Sequence, residues 1–305
     1  MKLSFDTKGK HQPDPFIFED NGHFYLYTTG HDGVEAYTAD DIFGLWHFVG
    51  VVAAIEGATE FWAPSVIRVG DRYYMYVSCD RPGAFEFMHV MKAASPLGPF
   101  DSPKCLYDRF SIDSHVVETE DGLFLWFAKD STAGERIGTR VFVDRLLDPY
   151  TPENRPREVI VPDFDEEIFT PKYSKANPWH TIEGPFWFSE GDWQYVMYSG
   201  GCYQDDTYHI GYASAKTGET DLTKIDFRKR TDGDRFHPVV IKNEFEEGTG
   251  HHSVIKYRGD YYAVYHARDY GERTDGEYRE ARTARICKLH VSDGEITAER
   301  YADRV

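Results

Sequence analysis

Three acidic residues occupy matched places along this chain: Asp14 in Pro13-Asp14-Pro15-Phe16, Asp113 in Ile112-Asp113, and Glu183 in Glu183-Gly184-Pro185. Each stands just ahead of an apolar run. An acid at a strand start is ordinarily a turn or cap residue, and one alone would mean little. Three acids brought together are different, because crowded carboxylates resist ionisation, a cost that persists mainly where function uses it. The chemistry such a set supports is acetal hydrolysis. One ionised carboxylate activates water, one protonated acid gives its proton to the leaving oxygen, and a third can tune the pair.

What brings residues so far apart together is a repeat. An apolar run, a Gly turn and an aromatic-rich run recur five times, starting at Pro13, Trp62, Asp113, Glu183 and His251, with turn glycines Gly22, Gly70, Gly122, Gly191 and Gly259. The flanking Tyr, Phe, Val and Ile residues favour strands. Asn21-Gly22 and Asp121-Gly122 read as tight hairpin turns with positive φ at both central positions. Successive glycines lie 48, 52, 69 and 68 residues apart, the length of a four-stranded propeller blade or somewhat more. The pattern predicts an all-β, five-bladed β-propeller, with residues 1–305 as a single catalytic domain.

Counting back from each glycine gives Asp14 (22−14=8), Trp62 (70−62=8), Asp113 (122−113=9), Glu183 (191−183=8) and His251 (259−251=8). On this count the five residues are equivalent, and the starts of the inner strands converge at one mouth of the central channel. Thr38 to Trp46 reads as a connection, and the Pro-rich, acidic stretch Asp144 to Asn177 as a surface excursion. Arg285 to Val291 and the turn Asp293-Gly294 are expected to complete the last blade. The sequence leaves open whether Leu3 to Phe5 joins it.

Lys plus Arg number 34 against 52 Asp plus Glu, a net charge of −18, which disfavours nucleic acid and anionic membrane surfaces as partners. The expected partner is a small oligosaccharide; the oligomeric state is left open. The opening residues Met1 to Asp6 lack the apolar run of a signal peptide, so a cytoplasmic location is expected. Four scattered cysteines, Cys79, Cys105, Cys202 and Cys287, suit reduced thiols rather than a disulfide framework.

Taken together, Pro13-Asp14-Pro15-Phe16, Trp62-Ala63-Pro64, Ile112-Asp113 and Glu183-Gly184-Pro185 resemble the motifs of glycoside hydrolase family 43 over nearly the whole chain. Its members are five-bladed propellers that hydrolyse arabinofuranosides and xylosides with inversion. The resemblance implies Asp14 as general base, Glu183 as general acid and Asp113 as the neighbour that raises and orients the acid. Base and acid of an inverting enzyme stand about 6.5–9.5 Å apart.

The resemblance also implies that Trp62 is a wall against which the sugar stacks, where the alternative is a core aromatic. Arg282 is the arginine expected to reach the sugar and the acid, with Arg279 and Arg285 as rivals and a solvent-facing charge as the alternative for all three. His31 is either a subsite side chain or a turn cap. His251, in Gly250-His251-His252, faces the channel in relatives and in some touches calcium or its waters. It is therefore a candidate substrate contact and a candidate ligand, through water, of a structural calcium ion. Calcium prefers a shell of oxygens, and the two-carboxylate reaction needs no metal.

Activity on terminal α-L-arabinofuranose in arabino- or arabinoxylo-oligosaccharides leads, with β-xylosidase beside it. Endo-arabinanase and a non-catalytic sugar-binding propeller stand as weaker alternatives.

Overall fold

The computed structural model describes residues 1–7, 10–170, 178–272 and 280–301. Arg279 and the end of the predicted excursion, 171–177, lie outside them. The fold is all-β; the helical turns among the described residues are the short 3-10 segments Asp165–Glu167 and Leu222–Lys224.

Five antiparallel meanders follow one another in the described residues. The first runs through Phe16–Asp20, His23–Thr28, Val34–Ala39 and Leu45–Ala53. The second runs through Thr59–Val69, Arg72–Arg81, Ala84–Ala93 and Asp101–Phe110. The third comprises Ile112–Thr119, Gly122–Ser131 and Gly138–Asp148, with Arg157–Ile160 added on its outer side. The fourth comprises Trp179–Glu190, Trp193–Gly200, His209–Lys216 and Arg228–Lys229, and the fifth Glu246–Tyr257, Asp260–Asp269, Thr283–Ser292 and Glu295–Glu299. The predicted closing strand and the Asp293-Gly294 turn are therefore both present. The first strands pack side by side in order, and the fifth returns to the first.

Apolar faces of neighbouring meanders bury one another, as alternation along each strand requires. Tyr27, Phe61, Met75 and Phe100 join the first and second. Tyr195, Tyr212, Val254 and Tyr265 join the fourth and fifth. The third and fourth also share a short parallel pairing, Gly138–Thr139 beside His180–Thr181. A Cβ on Gly138 would sit 1.9 Å from the His180 carbonyl oxygen, so this junction requires glycine.

The N-terminal residues are shared. Leu3 N–H donates to Ala284 O (3.0 Å) and Ile286 N–H to Met1 O (2.9 Å), tying the terminus to the fifth meander. Ser4 and Phe5 then pair in parallel with Leu45 and Trp46 of the first.

Two sequence expectations need correction. The excursion does not begin at Asp144, which is fully buried within the strand Gly138–Asp148 and accepts from the Tyr107 hydroxyl (3.0 Å). The segment after it folds back to pair with that same strand. The connection within Thr38 to Trp46 is the turn 40–44, and the two residues at each end belong to the flanking strands.

Turn chemistry also differs from the prediction in one meander. Asn21-Gly22 has positive φ at both positions, but Thr119 pairs with Gly122, so the tip is Glu120-Asp121 and glycine follows the turn. Of these, only Gly122 has positive φ (114°). The four cysteines form no disulfide; Cys105 is exposed, the others buried.

Candidate active site

Which turn position each glycine fills matters for the site. Register places the first turn residue at Asn21, Gly70, Glu120, Gly191 and Arg258. Counting back seven from each reaches Asp14 (21−7), Ala63 (70−7), Asp113 (120−7), Gly184 (191−7) and His251 (258−7). All five have left-handed backbone, with φ of 53°, 46°, 61°, 55° and 46°. Asp14, Asp113 and His251 are therefore true equivalents. Trp62 and Glu183 stand one residue earlier, so glycine counting mis-phased them.

A left-handed residue at a strand start re-aims the chain and bulges the ladder. Pairing indeed slips between Trp62 and Ser65, Ile112 and His115, Glu183 and Phe186, and Gly250 and His252. Pro15, Pro64 and Pro185 follow the bend, where no ladder N–H is needed. The bends surround a small chamber lined by Asp14, Phe16, Asp113, His115, Phe186 and His251.

Asp14 is buried and heavily bonded. Its Oδ2 accepts from the Thr29 hydroxyl (2.6 Å), and its Oδ1 accepts from Arg282 Nη1 (3.1 Å). His251 Nδ1 lies 3.5 Å and His266 Nδ1 3.2 Å from Oδ1. Burial opposes the charge, yet Arg282, His251 and His266 outweigh it and hold this carboxyl well below the usual range.

The other two carboxylates behave oppositely. Asp113 Oδ2 accepts the Gly184 N–H (2.9 Å), and its carboxyl is pushed well up, first by burial and then by Glu183 and Asp14. Glu183 is partly exposed, and its Oε1 accepts from the Tyr208 hydroxyl (2.6 Å). Burial, with Asp14 adding and Tyr208 and Arg282 opposing, pushes Glu183 up to about 7. Asp113 and Glu183 bring carboxylate oxygens within 4.8 Å of each other, and acids this close oppose each other's ionisation and titrate as a pair.

Arg282 reaches the site as expected. Its guanidinium is clamped by Glu280 (Nη2 to Oε2, 2.7 Å) and lies 4.7 Å from the Tyr203 ring. Arg285 does not reach it: its guanidinium is buried between Asp269 (2.8 Å) and Glu246 (3.4 Å). Trp62 is half-buried at the rim, edge-on to Phe85 at 5.8 Å. Phe85 is 57% exposed and stacks on Phe110.

His31 is exposed and paired with Glu60, whose hydrogen bond raises the imidazole pKa. Among the described residues no hydrogen bond or ion pair joins it to the three carboxylates. Its segment stitches the first two meanders, with Gly30 and Phe61 exchanging both backbone bonds. Neutral His251, its charge suppressed by burial, faces both Asp14 and Asp113 (3.8 Å).

Asp113, Glu183 and His251 each bring one potential ligand atom within 4.8 Å of the others. Two carboxylates and one imidazole, with Glu183 Oε1 already bonded to Tyr208, supply fewer than the six to eight oxygens about a calcium ion, so an ion here would need water to complete its shell. Residues that sequence reasoning missed are Thr29, Tyr208, His266 and Glu280. Strand register could have found His266, since it pairs directly with Gly250.

The family model for glycosyl hydrolases family 43 matches residues 8–296. Alpha-L-arabinofuranosidase B of Pyricularia oryzae is 26% identical over 92% of this chain, which spans 60% of that relative's length. A thermostable family-43 glycoside hydrolase superposes with TM-score 0.82 at 25% identity, covering 98% of this chain and 96% of its own. An endo-1,4-beta-xylanase from Bacteroides thetaiotaomicron shares the fold, with TM-score 0.77 at 22% identity and coverage of 95% and 94%. The chain belongs to glycosyl hydrolases family 43.

Proposed function

We propose that the five meanders are the blades of a single closed propeller, and that the enzyme is an inverting, exo-acting hydrolase releasing terminal α-L-arabinofuranose from short oligosaccharides. Closure is supported by the ring of first strands and by the N-terminus bridging the first and fifth meanders. The observation that carries the chemistry is the opposed environment of two carboxylates. Arg282 keeps Asp14 ionised, while burial keeps Glu183 protonated to about pH 7. Titratable groups pushed apart in this way divide into base and acid.

In the reaction Asp14 takes a proton from water as that water attacks the anomeric carbon. The glycosidic C–O bond breaks, and Glu183 gives its proton to the departing oxygen. Asp113, hydrogen-bonded to the residue after Glu183, orients the acid and disfavours its ionisation. Trp62 supplies a face for the sugar, and Arg282 reaches toward it. No cofactor is required.

Arabinose as the sugar is supported by the likeness to the arabinofuranosidase of Pyricularia oryzae. A panel of nitrophenyl arabinofuranoside and xyloside with product NMR tests the whole proposal. Release of arabinose with inverted configuration supports it. Preference for xyloside would make the enzyme a β-xylosidase, net retention would remove Asp14 as a base, and no release from any glycoside would leave a sugar binder.

A further inference from the structure

The oxygen of Glu183 that faces away from its catalytic task is already assigned. Tyr208 stands immediately before the strand His209–Lys216, and its hydroxyl donates to Glu183 Oε1 at 2.6 Å. The ring is 1% exposed. It stacks on the His266 imidazole, with centroids 5.6 Å apart and planes 11° apart. Thr249 donates to the Tyr208 carbonyl (3.3 Å). A Cβ on Gly250 would lie 2.1 Å from the ring, so this glycine makes the ring's seat. His266 in turn accepts the backbone N–H of Asp14 through Nδ1 (3.1 Å). One buried aromatic pair thus touches both carboxylates proposed as acid and base.

We infer that Tyr208 is a positioning residue for the acid: its hydroxyl occupies Oε1, places the transferable proton on Oε2, and stabilises the carboxylate left when that proton departs. The inference rests on Glu183 being the acid. As the glycosidic bond breaks, its electron pair goes to the leaving oxygen, the proton moves there from Oε2, and negative charge appears on the carboxylate. A neutral hydrogen bond to Oε1 then becomes a charge-assisted one, which is stronger. Because the bond strengthens with charge development, it favours the transition state over the ground state. The groups facing Glu183 are Asp14, Asp113, Arg282 and His251 in addition to Tyr208.

Tyr208→Phe removes the hydroxyl and keeps the ring. Hydrogen bonds to charged groups are worth about 10- to 100-fold in an equilibrium or rate. The test is kcat and KM of wild type, Tyr208→Phe and Glu183→Gln on a series of aryl arabinofuranosides, or xylosides if those are preferred. Dinitrophenolate leaves with little protonation; unsubstituted phenol needs it.

Tyr208→Phe should lose about 10- to 100-fold in kcat on phenyl glycosides and less than about threefold on dinitrophenyl ones, with KM nearly unchanged. Gly250→Ala, which displaces the ring with its hydroxyl intact, should show the same steepened dependence on the leaving group. A loss equal for all leaving groups, or none, in a folded Tyr208→Phe protein overturns the role of Tyr208. If instead Glu183→Gln itself shows no leaving-group dependence, the acid assignment fails and the inference falls with it. Should Tyr208→Phe not fold, a Gly250→Ala protein with unchanged leaving-group dependence overturns it.

Discussion

Replacing Asp14 by Asn separates catalysis from folding in a way the structure lets one work through. Asn tolerates left-handed backbone about as well as Asp, so φ of 53° at this position survives. The Thr29 hydroxyl can still donate to the amide oxygen. What disappears is the charge, with its 3.1 Å bond to Arg282. A hydrogen bond between charged groups contributes about 1.5–3 kcal/mol. Glu280 continues to neutralise Arg282, so a loss of about 2 kcal/mol is expected. Asp14 is 8% exposed, so solvent does little to screen this loss.

For a chain of this size about 2 kcal/mol corresponds to a drop of about 4 °C in Tm, readable by thermal melts at pH 7. The sign with pH follows from the depressed pKa of Asp14. Its stabilising contribution is present above the unfolded-state value and lost as pH falls through the folded one. The gap between wild type and Asp14→Asn should therefore close below about pH 4. Turnover, measured by initial rates on an aryl arabinofuranoside, should fall by about 100- to 10,000-fold, the range for removing a general base. Near-normal kcat would refute the catalytic role. Equal melting at pH 7 would refute the energetic role of the Arg282 pair.

Other outcomes follow from the same geometry. Glu183→Gln and Asp113→Asn remove acids held above their usual pKa, whose ionisation the fold disfavours, so both should melt at or above the wild-type temperature near pH 8; clear destabilisation there would contradict the burial cost. The rate of the wild type should fall as pH rises through about 7 as Glu183 ionises, and Asp113→Asn, lacking the second acid that competes with Glu183 for ionisation, should move that limb to lower pH. An unmoved limb would remove Asp113 as a tuning group. Trp62→Ala should raise KM more than it lowers kcat, by about 5- to 30-fold for a lost stacking face of roughly 1–2 kcal/mol; unchanged KM would return Trp62 to a packing role. His31→Ala should alter kcat/KM little, because its partner is Glu60, and a large loss would place it in the site.

Much of this was legible because period-2 patterning and turn residues are local signals. The five hairpins, the closing strand and the three carboxylates are all written in short contiguous segments. Phase was harder. Glycine marks a turn without saying which turn position it fills: Gly70 and Gly191 come first in their turns and Gly22 and Gly259 second, which concealed that Trp62 and Glu183 sit one step before Asp14, Asp113 and His251. Partners that arrive across sheets left no local trace. Tyr208 and Thr29 look like ordinary strand-flanking residues, and nothing near them in sequence announces a carboxylate. Arg282 and Arg285 were indistinguishable by type; the first pairs with Glu280 and Asp14, the second with Glu246 and Asp269.

The one-residue offset also explains how like groups acquire unlike chemistry. A side chain at the left-handed position is carried inward, where Asp14 meets Arg282 and two histidines, and where Asp113 meets other acids and one N–H. A side chain one residue earlier stays at the rim, which suits an acid that must reach a departing oxygen and an aromatic that must meet a sugar face. Gly184 at the bend of the fourth meander follows from this arrangement. With no side chain there, its N–H can donate to Asp113, and His251 packs 3.6 Å from where a Cβ would be. The repeat thus supplies five starts, while the choice of residue on either side of the bend determines which of them are buried charges, which is a proton donor and which is a wall.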